Sequence, residues 1–138
     1  MKYYLQVLKN YAVFTGRARR SEYWFFVLFN VIFAVVACFA DRMLGLTYHM
    51  DVQGTYTAMP YGYIYSAYML VVLIPGLAVA VRRLHDVGKS GWFLLVVLIP
   101  IIGAIWLLVL LFTDSEAAEN KWGPNPKIES DELSLGIS

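Results

Sequence analysis

Three stretches of the chain carry no charged side chain: residues 23–40, 54–81 and 91–113. At a rise of about 1.5 Å per residue, about 20 residues cross the roughly 30 Å apolar core of a bilayer, so each stretch can span once. Ahead of them, Tyr4, Leu5, Leu8, Tyr11 and Ala12 recur at helical spacing while Lys2, Gln6, Lys9 and Asn10 share the opposite arc. That period predicts an amphipathic helix over about residues 2–14, too short to span and suited to the membrane interface. Thr15 and Gly16 break it, and Ser21 is the expected N-cap of the first membrane helix. The pattern predicts an all-α integral membrane protein, with residues 1–127 as a single membrane domain. It comprises the interfacial helix and three transmembrane helices at about 22–40, 61–81 and 92–113, followed by a disordered tail over 128–138.

Within the spans, the few non-aliphatic positions suggest how the helices pack. Asn30 shares a stripe with Ala34 and Cys38, where small residues would admit a neighbouring helix and Asn30 could hydrogen-bond across the contact. Gly76 and Ala80 stand at small-xxx-small spacing in the second span. The pentapeptide VVLIP occurs at 71–75 and again at 96–100. Pro75 and Pro100 are therefore expected to kink the second and third helices at matching depth, loosening the carbonyls of Val71 and Val96. Residues 41–60 mix Gly, Thr, His49 and Asp51 without a period and read as an extracytoplasmic loop. Tyr61, Tyr63, Tyr65 and Tyr68 follow at the expected outer boundary, where their phenols suit the interface. Pro124 and Pro126 forbid a continuous helix through residues 120–127.

Composition agrees with a bilayer as solvent: 59% of the 138 residues are hydrophobic and 15% are charged. A formal net charge of +1 hides a segregation along the chain. Lys2, Lys9, Arg17, Arg19 and Arg20 stand against Glu22 before the first span, and Arg82, Arg83 and Lys89 against Asp86 between the second and third. The positive-inside rule then puts the N-terminus and the 82–91 turn in the cytoplasm, and with three spans the acidic tail falls on the periplasmic side. The first span runs into Asp41 and Arg42 without a cleavage motif, which reads as a retained helix. Cys38, the single cysteine, excludes an intramolecular disulfide and a cysteine metal cage.

The chemistry-bearing residues concentrate at 82–92, RRLHDVGKSGW. Gly88, Lys89 and Ser90 resemble the end of a phosphate-binding loop, but Arg83 stands where that motif needs a further Gly. His85 and Asp86 suit a metal, yet the only other histidine, His49, falls across the membrane in this topology, so no metal site is expected. Ser90 with His85 as base is a spacing many turns would show. No cofactor and no enzymatic role are expected. A structural role accounts for the same residues: Arg82 and Arg83 complement the helix dipole, Gly88 and Gly91 allow the turn, Ser90 N-caps the third helix, and Trp92, like Trp24, anchors at the interface.

Three pieces, GRARRSEYW at 16–24, RRLHDVGKSGW at 82–92 and NKWGPNP at 120–126, resemble the family of small bacterial inner-membrane proteins known as domain of unknown function 805. The resemblance covers about residues 8–127. It implies an integral inner-membrane protein of three or four helices and brings no established activity, cofactor or substrate. The family's NxxG-x-[DN]-P tail is matched by Asn120, Gly123, Asn125 and Pro126, while the long 41–60 loop is particular to this chain or a subgroup.

These observations together predict one basic site on the cytoplasmic face, in which Glu22 and Asp86 orient the guanidinium groups of Arg17, Arg19, Arg20, Arg82 and Arg83 beside His85 and Lys89. Donors left over would take an anionic lipid head group or an acidic partner segment. The expected role is a non-enzymatic binding or assembly protein, alone, as a homo-oligomer or with a larger membrane partner, without nucleic acid. The alternative is a small oligomeric transporter or channel, against which stands the lack of an intramembrane acid or base. A re-entrant hairpin at Pro100 is the competing topology for the third apolar run, and it would return the tail to the basic face.

Overall fold

The long charge-free runs become helices, and two of them are long and apolar enough to cross a membrane: α2, Arg20–Leu44, and α3, Tyr63–Asp86. At 25 and 24 residues they extend about 36–38 Å each. This computed structural model describes residues 1–136 and is mostly helical. It divides into two compact units, Met1–Phe26 with Pro75–Ser138, and Val27–Ile74.

In the first unit, α1 is shorter than its periodicity suggested, Lys2–Lys9, because Asn10 leaves the helix and residues 10–12 form a turn. Its Tyr4 and Val7 are buried, and Tyr3 and Tyr4 stack on Phe25 and Phe26 at 5.6 and 5.4 Å. Helix α2 begins at Arg20, so Ser21 lies inside its first turn and does not cap it. Helix α3 continues past the expected boundary at 81 to Asp86, which turns Arg82, Arg83, His85 and Asp86 into helical positions. It ends in a Schellman motif: Gly88 takes φ 76°, its N–H bonds the His85 carbonyl at 3.0 Å, and the Lys89 N–H bonds that of Leu84 at 2.9 Å.

The third apolar run is not one span. It forms a 3₁₀ helix, Gly91–Leu98, then turns at Pro100 and continues as α4, Ile102–Phe112. The break is a γ-turn centred on Ile101, at φ 64° and ψ −66°, closed by the Ile102 N–H to the Pro100 carbonyl at 2.7 Å. Pro100 thus sits at a reversal rather than at a kink matching Pro75, which stays inside continuous α3. The two arms pack against each other, with Phe93 edge-on to Trp106 at 6.2 Å. Gly103 lies so close to the Val96 carbonyl that a side chain has no room. Each arm is about 16 Å long, half the thickness of a bilayer core. A hairpin folded back at Pro100, rather than one continuous helix over 92–113, describes this segment.

The tail also departs from expectation. Residues 126–135 form helix α5, Pro126–Leu135, where disorder was expected from 128. Asn125 caps it by accepting from the Lys127 N–H at 3.0 Å, Pro126 suits its first turn, and Gly136 closes it in the left-handed conformation. Positions 137 and 138 of the expected disordered tail lie outside the described residues.

In the second unit, the expected loop is an antiparallel hairpin of β1, Thr47–Val52, and β2, Thr55–Gly62. Its turn, Gln53 and Gly54 at φ 53° and 84°, has the positive φ pair of a type I′ turn, and Asp51 accepts from the Gly54 N–H at 2.8 Å. Below it, Asp41 is fully buried and accepts from the backbone N–H groups of Ile64 and Tyr65, each at 2.9 Å, capping α3. Gly62 passes over Asp41 and Leu46 where a Cβ would collide. Asn30 accepts from the Tyr68 hydroxyl at 2.5 Å, with Phe33 edge-on to the same ring. Ala34 and Cys38 are half-buried on the same helix.

Candidate functional site

Arg17, Arg83 and Asp86 meet where α3 ends, with Arg82 and Glu22 paired beside them. Ala18, between two arginines, has no exposed surface; its N–H bonds the Arg82 carbonyl at 3.0 Å and its own carbonyl accepts from Arg83. This backbone contact fixes the 16–19 segment against α3, and any larger side chain at 18 would separate them. Gly16, at φ 86°, then presents its carbonyl to His85 Nδ1 at 3.0 Å.

Asp86 is the hub of the arrangement. One carboxylate oxygen accepts from Arg17 Nε at 3.0 Å, and the other accepts from Arg83 Nη1 and from the Ser115 hydroxyl at 2.6 Å. Two cations on one buried carboxylate, with a hydroxyl filling a third lone-pair direction, answer the cost of desolvating that charge. Arg82 instead pairs with Glu22 at 2.8 Å, and both are buried.

Most of these cations are occupied with backbone. Arg17 also donates to the carbonyls of Asp86, Glu116, Ala118 and Gly123, so a single guanidinium threads the 116–123 segment onto the end of α3. Arg83 donates to the carbonyls of Leu111 and Thr113, and Arg20 to that of Phe112, at the C-terminus of α4. Trp24 Nε1 takes the Leu111 carbonyl at 3.2 Å while its ring stacks on Phe112 at 4.1 Å. Cations and N–H donors at a helix C-terminus satisfy its orphan carbonyls and its dipole together. Trp24 is therefore a fastening for α4, whereas Trp92 is exposed at the start of the 3₁₀ helix, capped by Ser90.

The tail closes over the site. Trp122 stacks on His85 at 4.5 Å, nearly parallel, and Lys121 lies over the indole. Asn120 donates to the His85 carbonyl at 3.0 Å and to Glu116 at 2.8 Å. These contacts place the tail and the 82–91 turn in one packed cluster, whereas three spans would separate them. The hairpin at Pro100 brings the chain back to the end of α3. Sequence reasoning missed Ala18, Ser115, Glu116 and Trp122; the NKWGPNP piece, one of the three that carry the family resemblance, was the one signal that the tail had fixed partners.

Four buried polar atoms have no hydrogen-bond partner among the described residues: Arg82 Nε and Nη2, Arg19 Nε and the Ser21 hydroxyl. Arg19 otherwise donates to the Ser130 hydroxyl at 3.0 Å. Lys89 is half-buried, 5.5 Å from the Phe93 ring centre. Gly76 and Ala80 sit in the packed stretch of α3, Gly76 facing Phe26. Beside the cluster an open cleft of about 510 Å³ has Leu77, Val81, Trp92 and Leu94 as apolar walls and His85 and Ser90 as polar ones. Among the described residues no three His, Cys, Asp or Glu side chains are grouped to hold a metal.

The fold and cluster define a class: a mostly helical protein with two helices of membrane-crossing length, whose arginines fasten a helical hairpin and a tail to the end of the second. The chain belongs to the family described as protein of unknown function (DUF805), whose model matches residues 11–124. It is 44% identical over 131 residues to inner membrane protein YhaH of Escherichia coli (strain K12), covering 94% of this chain and 99% of that protein. To inner membrane protein YhaI of the same organism it is 40% identical over 130 residues, with the same coverage. No solved structure matches it.

Proposed function

We propose that this chain is an inner-membrane binding protein, without catalytic chemistry of its own, that holds the phosphate of an anionic lipid head group at its cytoplasmic-face arginine cluster. The observation that carries this reading is Arg82, buried and paired to Glu22 through Nη1 while Nε and Nη2 have no partner. Buried donors left unmade cost about 1–3 kcal/mol each, more when charged, and a phosphate oxygen pair suits that edge of a guanidinium. The Arg19 Nε and Ser21 hydroxyl, similarly buried on the neighbouring turn, extend the same donor set. The apolar cleft offers a wall for an acyl chain.

Location in the inner membrane is supported by the names of the E. coli relatives and by the two apolar helices. The cytoplasmic side follows from the cations before α2 and at the end of α3. Because the tail packs on that cluster, both termini fall on that side; the acidic residues of the tail weigh little in the positive-inside rule.

Native mass spectrometry of the full chain in nanodiscs of mixed phosphatidylglycerol and phosphatidylcholine tests the reading. Retained lipid should be predominantly phosphatidylglycerol, and Arg82→Lys, which keeps a cation for Glu22 but removes the free edge, should lower that retention roughly tenfold. Arg19→Ala should lower it less. Retention of both lipids in their bulk ratio by the folded wild-type chain would overturn it.

A further inference from the structure

The hairpin of the second unit has two edges of different character. Strand β2 contains Pro60, which has no N–H to donate and blunts that edge against further pairing. Strand β1 contains no proline and no lysine, and among the described residues it pairs with β2 alone. Met50 and Val52 on it are half-exposed. A lone two-stranded hairpin is marginal in water, and a third or fourth strand stabilises it.

The register of any strand added to β1 is constrained by what β1 presents. In a type I′ hairpin the residues flanking the turn, Val52 and Thr55, exchange hydrogen bonds, and so do alternate pairs such as Met50 with Thr57. The backbone groups of Thr47, His49 and Asp51 therefore point to the free edge. If the added strand is a second, antiparallel β1, only residues of this outward set can form its hydrogen-bonded pairs. Centring the pairing on His49 sets two histidines opposite, and centring it on Asp51 sets two carboxylates opposite, which is unfavourable. Centring it on Met50 sets His49 against Asp51 of the other copy, twice by symmetry. The opposite face then brings Met50 against Met50, and Tyr48 against Val52.

We infer that the β1 edge is a homodimerisation surface: two copies pair antiparallel about Met50 into a four-stranded sheet. The interface is isologous, with two imidazole–carboxylate pairs on one face and apolar contact on the other. It is independent of the lipid reading, since none of its residues belongs to the arginine cluster.

The test uses the full-length chain in liposomes, with Cys38→Ser to remove the native thiol. Met50 would sit in a non-hydrogen-bonded pair with its counterpart, with Cα atoms about 4.5 Å apart, within disulfide range. Met50→Cys should therefore form a covalent dimer under mild oxidation roughly tenfold faster than Tyr56→Cys, which is at least as exposed but lies on β2. Adding His49→Glu, which places two acids opposite Asp51 residues, should slow the Met50→Cys crosslink roughly tenfold. Equal rates at positions 50 and 56, or indifference to His49→Glu, would overturn the pairing.

Discussion

Each of the two units buries one aspartate completely, and the two are neutralised by opposite means. Asp86 takes two guanidinium groups and a hydroxyl, from segments 69 and 29 positions away, with Arg83 from its own helix. Asp41 takes no cation among its hydrogen bonds; two backbone N–H groups in the first turn of α3 hold it, where the helix dipole favours an anion. One carboxylate thus gathers pieces of chain that are distant in sequence, and the other fixes one entry into a helix that would form in any case. The first arrangement should fail as a whole, the second locally.

The largest effect is expected at the hub. Asp86→Asn leaves Arg17 and Arg83 buried without a counter-charge, and breaking a buried pair by removing one partner costs about 3–5 kcal/mol. Reversible unfolding of the full chain in mixed micelles should show that loss, together with protease sensitivity between 113 and 125. Asp41→Asn, which can still offer one acceptor, should cost about 1–2 kcal/mol, the range for weakening a cap, and should leave the 113–125 segment protected. If the two substitutions cost the same, or if Asp41→Asn also frees the tail, the contrast between a tertiary hub and a local cap is wrong.

How much of this was legible in the sequence follows the same division. Helices α2 and α3 announce themselves, because a long uncharged run has few alternatives to a helix in an apolar medium. The arginine motifs marked residues that come together at the end of α3, with Arg17 and Arg83 on Asp86 and Arg82 on Glu22. What spacing could not reveal is that their donors go mostly to backbone carbonyls, which no side-chain pattern advertises: Leu111, Thr113, Ala118 and Gly123 are chosen by position and not by type. The third apolar run misled because VVLIP reads alike before a turn and within a helix. The difference lies in Ile101, a β-branched residue forced to positive φ, and in Gly103, whose missing side chain lets the arms close. The hairpin hid for another reason: a two-residue turn of Gln53 and Gly54 is a weaker signal than Asn-Gly, and the alternation of β1 faces no core that would make one side apolar.

The smallest expected effect tests where the tail's attachment ceases to depend on buried charge. Asp114 and Lys127 pair at 2.6 Å, with side chains 55% and 38% exposed. The Lys127 hydrogen bond, then the Ser115 N–H, holds the Asp114 carboxyl below its ordinary value. A carboxyl lowered in the folded state contributes stability above its unfolded pKa and loses it as pH falls through the folded value. The contribution should be a few tenths of a kcal/mol, since both groups are solvated, and 1 M salt should remove most of it. Other carboxylates titrate over the same acid range, so the informative quantity is the difference in unfolding midpoint between wild type and Asp114→Asn, measured from neutral to acid pH at low and high salt. That difference should be small at neutral pH, vanish in acid and shrink with salt. A large, salt-insensitive difference would mean that this exposed end of the tail shares the brittleness of the Asp86 hub, and the division between the buried fastening and its solvated continuation would fall further along the chain.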